Sequence, residues 1–121
     1  MAVRYVLDSN AVLYLLGGKL TQPLPNGEYF VSVITEMELL SFPLLNNSEE
    51  LAIREFLRDT PSIELSSEIR ETAILLRKQH RLKLPDAIVA ATAKALGATL
   101  LTNDRKLTGI TGIESTRVSV K

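Results

Sequence analysis

The period of apolar and polar positions changes along this chain, and the changes mark its elements. Val3–Leu7 is a short β-rich run with apolar residues on both faces, the pattern of a strand in the middle of a parallel sheet. Ala11–Leu16 reads as a helix ending at the Gly17–Gly18 pair. Tyr29–Val33 is a second strand and runs directly into the helix-favouring TEMELLS. Ser48–Asp59 reads as a helix with a serine cap, acids in its first turn, Leu51, Ala52 and Phe56 along one side, and Pro61 as its stop. Ser62–Leu65 is a brief third strand. Ser66 then caps a helix carrying Ile69, Ala73 and Leu76 at helical spacing. Pro85 opens the clearest helix, with Ile88, Ala91, Thr92, Ala95 and Leu96 on one face and Gly97 as its C-terminal stop. Thr99–Leu101 is a fourth strand and Ser115–Val120 a fifth.

Strands alternating with helices predict an α/β fold: one domain over residues 1–121, with a parallel sheet of about five strands flanked by helices on both faces. No repeat, low-complexity run or linker divides it. In such sheets the reactive crevice lies beyond the carboxyl ends of the strands. That rule singles out four carboxylates. Asp8 ends the first strand, and Asp104 follows the fourth through Thr102 and Asn103. Asp86 sits in the first turn of the Pro85 helix, and Glu38 lies on the helix after the second strand. Taken singly, each has a bland role. Asp8 suits a helix cap, Asp86 answers a helix dipole, Asp104 suits a turn and Glu38 a surface helix position. Taken together they would repel, and a bound cation is the simplest offset.

Composition narrows the chemistry. The 121 residues include no cysteine and one histidine, His80, which excludes a disulfide scaffold, a zinc ribbon, a thiol nucleophile and a polyhistidine site. An oxygen-only donor set suits a hard ion, Mg²⁺ or Mn²⁺, and such an ion beside a cleft suits phosphodiester hydrolysis. Lys+Arg and Asp+Glu balance at 14 each, so any grip on nucleic acid must be local. The one basic cluster contains Arg77, Lys78, Arg81 and Lys83, just before the Asp86 helix, and Arg105 adds to it beside Asp104. These residues would hold a nucleic acid through its phosphates. As plain structure, the cluster is a helix C-terminus decorated with cations. No apolar run reaches the roughly 20 residues of a membrane span. The N-terminus does not read as a signal peptide, so the expected compartment is the cytoplasm.

Four stretches, in order and over essentially the whole chain, resemble the PIN-domain ribonucleases and, within them, the VapC toxins of type II toxin–antitoxin pairs. They are YVLDSNAVLYLL, VSVITEMELL, LPDAIVAATA and LLTND. The resemblance implies an endoribonuclease whose pocket is Asp8, Glu38, Asp86 and Asp104, holding one or two Mg²⁺ or Mn²⁺ ions. Ser9, Asn10, Thr102 and Asn103 would be supporting polar groups that orient the carboxylates or metal-bound water. Water would attack phosphorus in line, with no covalent enzyme intermediate. Glu38 is preferred to Glu36 because it shares a helix side with Thr35, while Glu36 points about 200° away. Lys106 stands where some relatives carry another acid, and Ser9 replaces the commoner threonine. The family also implies a cognate antitoxin and a homodimer. The dense apolar stretch Leu39, Leu40, Phe42, Leu44 and Leu45 is expected to be mostly core, with part lining an antitoxin groove or dimer surface.

Other readings stay open at this stage: a PIN nuclease of RNA maturation or decay without a toxin role, and a non-catalytic PIN-like binding module. An aspartyl-phosphate phosphatase also places an acid after its first strand. It wants a second acid two residues on, where Asn10 stands.

Overall fold

The computed structural model describes residues 2–121; Met1, part of the single-domain reading, lies outside them. The elements run β1 (Arg4–Leu7), α1 (Ser9–Leu16), β2 (Glu28–Ser32), α2 (Val33–Leu40), α3 (Asn47–Asp59), β3 (Ser62–Ile63), α4 (Ser67–His80), α5 (Leu84–Leu96), β4 (Thr99–Leu101) and β5 (Ser115–Thr116). All four strand pairings are parallel, in the order β3-β2-β1-β4-β5. The expected α/β fold with about five parallel strands is therefore present.

Adjacent strand residues feed opposite layers, as the pleat requires. Val6, Phe30 and Leu100 face α4 and α5, packing with Ile69, Ala73, Leu76 and the alanines of α5. Leu7, Val31 and Leu101 face the other way, against Ala11 and Val12 of α1, Leu39 of α2 and Ile53 of α3. A strand covered on both faces has no polar side, which is why these runs read as continuous apolar segments. The chain builds outward from β1 to β2 to β3, then returns to lay β4 on the other flank of β1. The order of strands thus reverses between β1 and β4.

Helix α5 is more buried than its one-sided pattern suggested. Every residue from Ala87 to Ala93 is buried, and Ala87, Ala90, Ala91 and Ala93 let it approach the sheet closely. Gly97 ends it in the left-handed conformation, at φ 61°. Gly27 is required for a different reason: a Cβ there would stand 2.5 Å from the Val3 carbonyl oxygen and 2.7 Å from the Tyr5 ring.

Several expectations need correction. Helix α3 starts earlier than Ser48, because Asn46 caps it. The Asn46 side chain accepts from Glu49 N–H at 2.8 Å, and the Glu49 carboxylate accepts from Asn46 N–H at 3.1 Å. Its buried side carries Ile53, with Phe56 half-buried, whereas Leu51 is 57% exposed. The third strand stops at Ile63, not Leu65. The fifth pairs with β4 only at Ser115 and Thr116; Val120 instead makes an antiparallel bridge to Leu20. Of the stretch from Leu39 to Leu45, Leu40 and Leu45 pack partly buried against the core that holds Leu39, as expected, and Phe42 and Leu44 do not. Leu39 is buried, but Phe42 is 43% and Leu44 94% exposed. Both line an apolar groove of about 750 Å³ with Leu13, Leu16, Leu45 and Ile53.

Candidate active site

Asp8 follows β1 and caps α1, so it fills the capping role and the strand-end position at once. Its Oδ1 accepts the Ala11 N–H at 2.8 Å, and its Oδ2 accepts the buried Thr102 hydroxyl. The Asp8 N–H in turn donates to the Leu101 carbonyl at 3.3 Å, which continues the β1–β4 ladder by one step. Thr102 reaches onward: its Oγ1 accepts the Asp104 N–H at 3.1 Å, and Asp104 Oδ1 accepts the Lys106 N–H at 2.9 Å. Asp8 and Asp104 are thus joined through one hydroxyl at the β1/β4 reversal, the place where open α/β sheets present a crevice.

Glu38 arrives from α2. Its Oε1 accepts the Ser9 hydroxyl at 2.8 Å, tying α2 to the first residue of α1. On the same side of α2, one turn earlier, the buried Thr35 hydroxyl has no hydrogen-bond partner among the described residues. Asp86 is the third residue of α5, in its first turn.

The electrostatics bring the four together. Burial is the largest influence on Asp8 and pushes its carboxyl above 3.8. Its bonds from Thr102 and Ala11 oppose that rise, and the charges of Asp104 and Glu38 add to it. Asp86 is also raised, first by burial and then by Asp104 and Glu38; Lys83 pulls it down and Asp8 pushes it up. Asp86 therefore feels the other three acids, and Asp8 feels Asp104 and Glu38. They share a crevice without closing round a point, since among the described residues no three His, Asp or Glu side chains form a ready-made metal cage.

The supporting residues divide. Ser9 and Thr102 each bond an acid. Asn10 is exposed. Asn103 does not face a carboxylate, because both ends of its amide bond the backbone of Val118, at 3.0 and 2.8 Å. Of the basic residues, Arg77, Lys78, Arg81, Lys83 and Arg105 are all exposed. Lys83 is the one whose charge reaches an acid of the crevice. Arg81 ends α4 in the left-handed conformation at φ 53°. Sequence reasoning did not foresee the Asn103–Val118 pairing, since nothing local marks a partner 15 residues away.

Comparison with known proteins follows the same lines. The family model described as PIN domain matches residues 5–112. A toxin–antitoxin complex from Klebsiella pneumoniae contains a chain 30% identical to this one. The match has TM-score 0.75 and covers 90% of this chain and 94% of that one. The VapBC2 complex of Rickettsia felis, bound to a DNA fragment from its promoter, matches at 20% identity and TM-score 0.79, covering 95% and 98%. VapBC-5 from Mycobacterium tuberculosis matches at 21% identity and TM-score 0.75, covering 96% and 99%. No curated protein matches the chain in sequence. With the family model matching residues 5–112, the chain belongs to the PIN-domain family, and its fold is like that of chains in VapBC complexes.

Proposed function

We propose that this protein, as a single PIN domain over 1–121, is a Mg²⁺- or Mn²⁺-dependent endoribonuclease and the toxin of a toxin–antitoxin pair. The observation that carries the reading is the meeting of Asp8, Glu38, Asp86 and Asp104, from four separate elements, at the β1/β4 reversal of a PIN-family sheet. The donor set fits a hard cation: all oxygen, crowded with like charge, and partly desolvated. Asp8, Glu38, Asp86 and Asp104 would hold one or two such ions. A bound ion of this kind supplies a water of lowered pKa and a counter-charge for phosphate oxygens.

The chain's own groups do the rest. Thr102 and the Ala11 amide keep the Asp8 carboxylate oriented, and Ser9 orients that of Glu38. Lys83, whose charge reaches Asp86, and Arg105, next to Asp104 in sequence, would take RNA phosphates, with the exposed Arg77, Lys78 and Arg81 adding to them. Contacts of that kind position RNA without reading its sequence.

The Klebsiella pneumoniae relative is part of a toxin–antitoxin complex, which supports an antitoxin partner here. The groove lined by Leu13, Leu16, Phe42, Leu44, Leu45 and Ile53 is the surface offered to it. Ile74 and Leu75, exposed on α4, offer an apolar face to a second copy. Among the described residues no helix is long and apolar enough to cross a membrane, and a cytoplasmic location agrees with the RNA substrate.

The test is cleavage of RNA by purified wild type, Asp8→Asn and Asp86→Asn in Mg²⁺ or Mn²⁺. Wild type should cut, and both variants should lose cleavage while keeping their circular dichroism spectra. Full cleavage by both well-folded variants would overturn the reading. Growth arrest on expression, beside a small neighbouring antitoxin gene, would separate a toxin from a housekeeping nuclease.

A further inference from the structure

We infer that Asn103 is a positioning residue: through the backbone of Val118 it fastens the acid-bearing loop to the chain's C-terminal segment, and that segment sets where Asp104 stands. The consequence for turnover rests on the nuclease reading above; the geometry does not.

Asn103 Nδ2 donates to the Val118 carbonyl at 3.0 Å, and its Oδ1 accepts the Val118 N–H at 2.8 Å. The side chain thus pairs as a strand backbone would, just past the point where β5 ends at Thr116. Thr102 prepares this pairing by donating its N–H to the Thr116 carbonyl at 3.1 Å. The far end of the segment is tied down separately. The Ser119 carbonyl accepts the Thr21 N–H at 3.0 Å, Lys121 N–H donates to the Lys19 carbonyl at 2.8 Å, and Val120 bridges Leu20. Residues 116–121 therefore form a strap from β5, across the acid loop, to the chain that follows α1. The strap lies beyond residue 112, where the family match ends.

The chemistry of the position is narrow. Beside the backbone bond from Thr102 to Thr116, the loop Thr102–Asn103–Asp104 has two side-chain ties to other elements, Thr102 to Asp8 and Asn103 to Val118. An amide satisfies both Val118 groups at once. A carboxylate of the same shape would set an acceptor against the Val118 carbonyl, and alanine would satisfy neither group. A loop freed on one side shifts its acid by fractions of an ångström, and misplacement on the scale of 1 Å costs roughly a hundredfold in rate.

The experiment uses the full chain with Asn103→Ala, Val118→Pro, the double variant and Val118→Ala. The proline variant removes the N–H that Asn103 accepts. The alanine variant loses side-chain packing but keeps both backbone groups. Amide hydrogen exchange is read at Asp104 and Lys106. It should accelerate in Asn103→Ala and Val118→Pro and stay near wild type in Val118→Ala. In RNA cleavage, kcat should fall roughly tenfold in both disrupting variants, with KM little changed and no further loss in the double variant. Unchanged exchange in both disrupting variants overturns the strap, whether or not the protein cleaves RNA. Accelerated exchange with wild-type kcat in a chain that does cleave overturns the positioning role. Multiplying losses in the double variant would show that the two residues act separately and would overturn it too.

Discussion

Asp86 shows most clearly what the site costs the fold. Its carboxyl is raised above 3.8, by burial first and then by Asp104 and Glu38. A carboxyl raised on folding holds its proton more tightly in the native state than in the unfolded chain. Its ionised form is therefore an unfavourable presence in the fold. That penalty is absent below 3.8 and fully felt once pH exceeds the raised native value. Asp at the first turn of α5 also gains from the helix dipole, by about 0.3–1 kcal/mol at most exposed sites, which offsets part of that penalty. Asp86→Asn should thus melt above wild type at pH 7 in metal-free buffer, and the gap should close as pH falls toward 3.8. Scanning calorimetry in chelator measures it, and a variant melting below wild type at pH 7 contradicts the sign. The sequence already marked this residue, because an acid in a helix's first turn, beside a strand-end rule, is a local pattern. Asn103 was marked for the wrong task. Its neighbours in sequence are site residues, but its partner is Val118, and a contact across 15 residues leaves no local signature.

Elements were legible where a period or a cap was strong. The Pro85 helix, with its Gly97 stop, runs as read within a residue at either end, and the Ser66-capped helix starts where its cap places it. The start of α3 was missed although its signal is present: Asn46-Asn47-Ser48-Glu49 is a capping box, and Ser48 drew the eye from it. Ile53 is interior and Leu51, about 200° round the helix from it, is not; that choice of side is made by packing and not by where the helix begins. Asn46→Ala should therefore cost about 1 kcal/mol, the usual worth of such a cap, as measured by urea unfolding. A change within a few tenths of zero would show that packing at Ile53 alone holds this helix. Short strands were overrun because β propensity continues past the last hydrogen bond. Leu65 lies beyond β3, and Val118 and Val120 leave the sheet for Asn103 and Leu20. The apolar run ending at Leu45 divides between core, at Leu39, Leu40 and Leu45, and groove, at Phe42 and Leu44. Hydrophobicity alone does not separate core from groove, and Leu44 is almost wholly exposed.

For the molecule as a whole, a formal charge of zero hides an uneven distribution. Four acids from different elements converge at the reversal between β1 and β4, and the exposed cations of the α4–α5 junction include Lys83 beside Asp86. The architecture follows from strands that bury both faces, and it carries the acids to one edge as a consequence of order 3-2-1-4-5. No short stretch of sequence holds that information; it arises when β4 returns to the flank of β1. The central claim is that this gathering of carboxylates exists to seat a divalent cation. Isothermal titration of Mn²⁺ into wild type, Asp8→Asn and Asp86→Asn tests it without RNA. The account predicts saturable binding by wild type that is lost in both variants; equal Mn²⁺ affinity in all three folded proteins, or no specific binding by wild type, would contradict it.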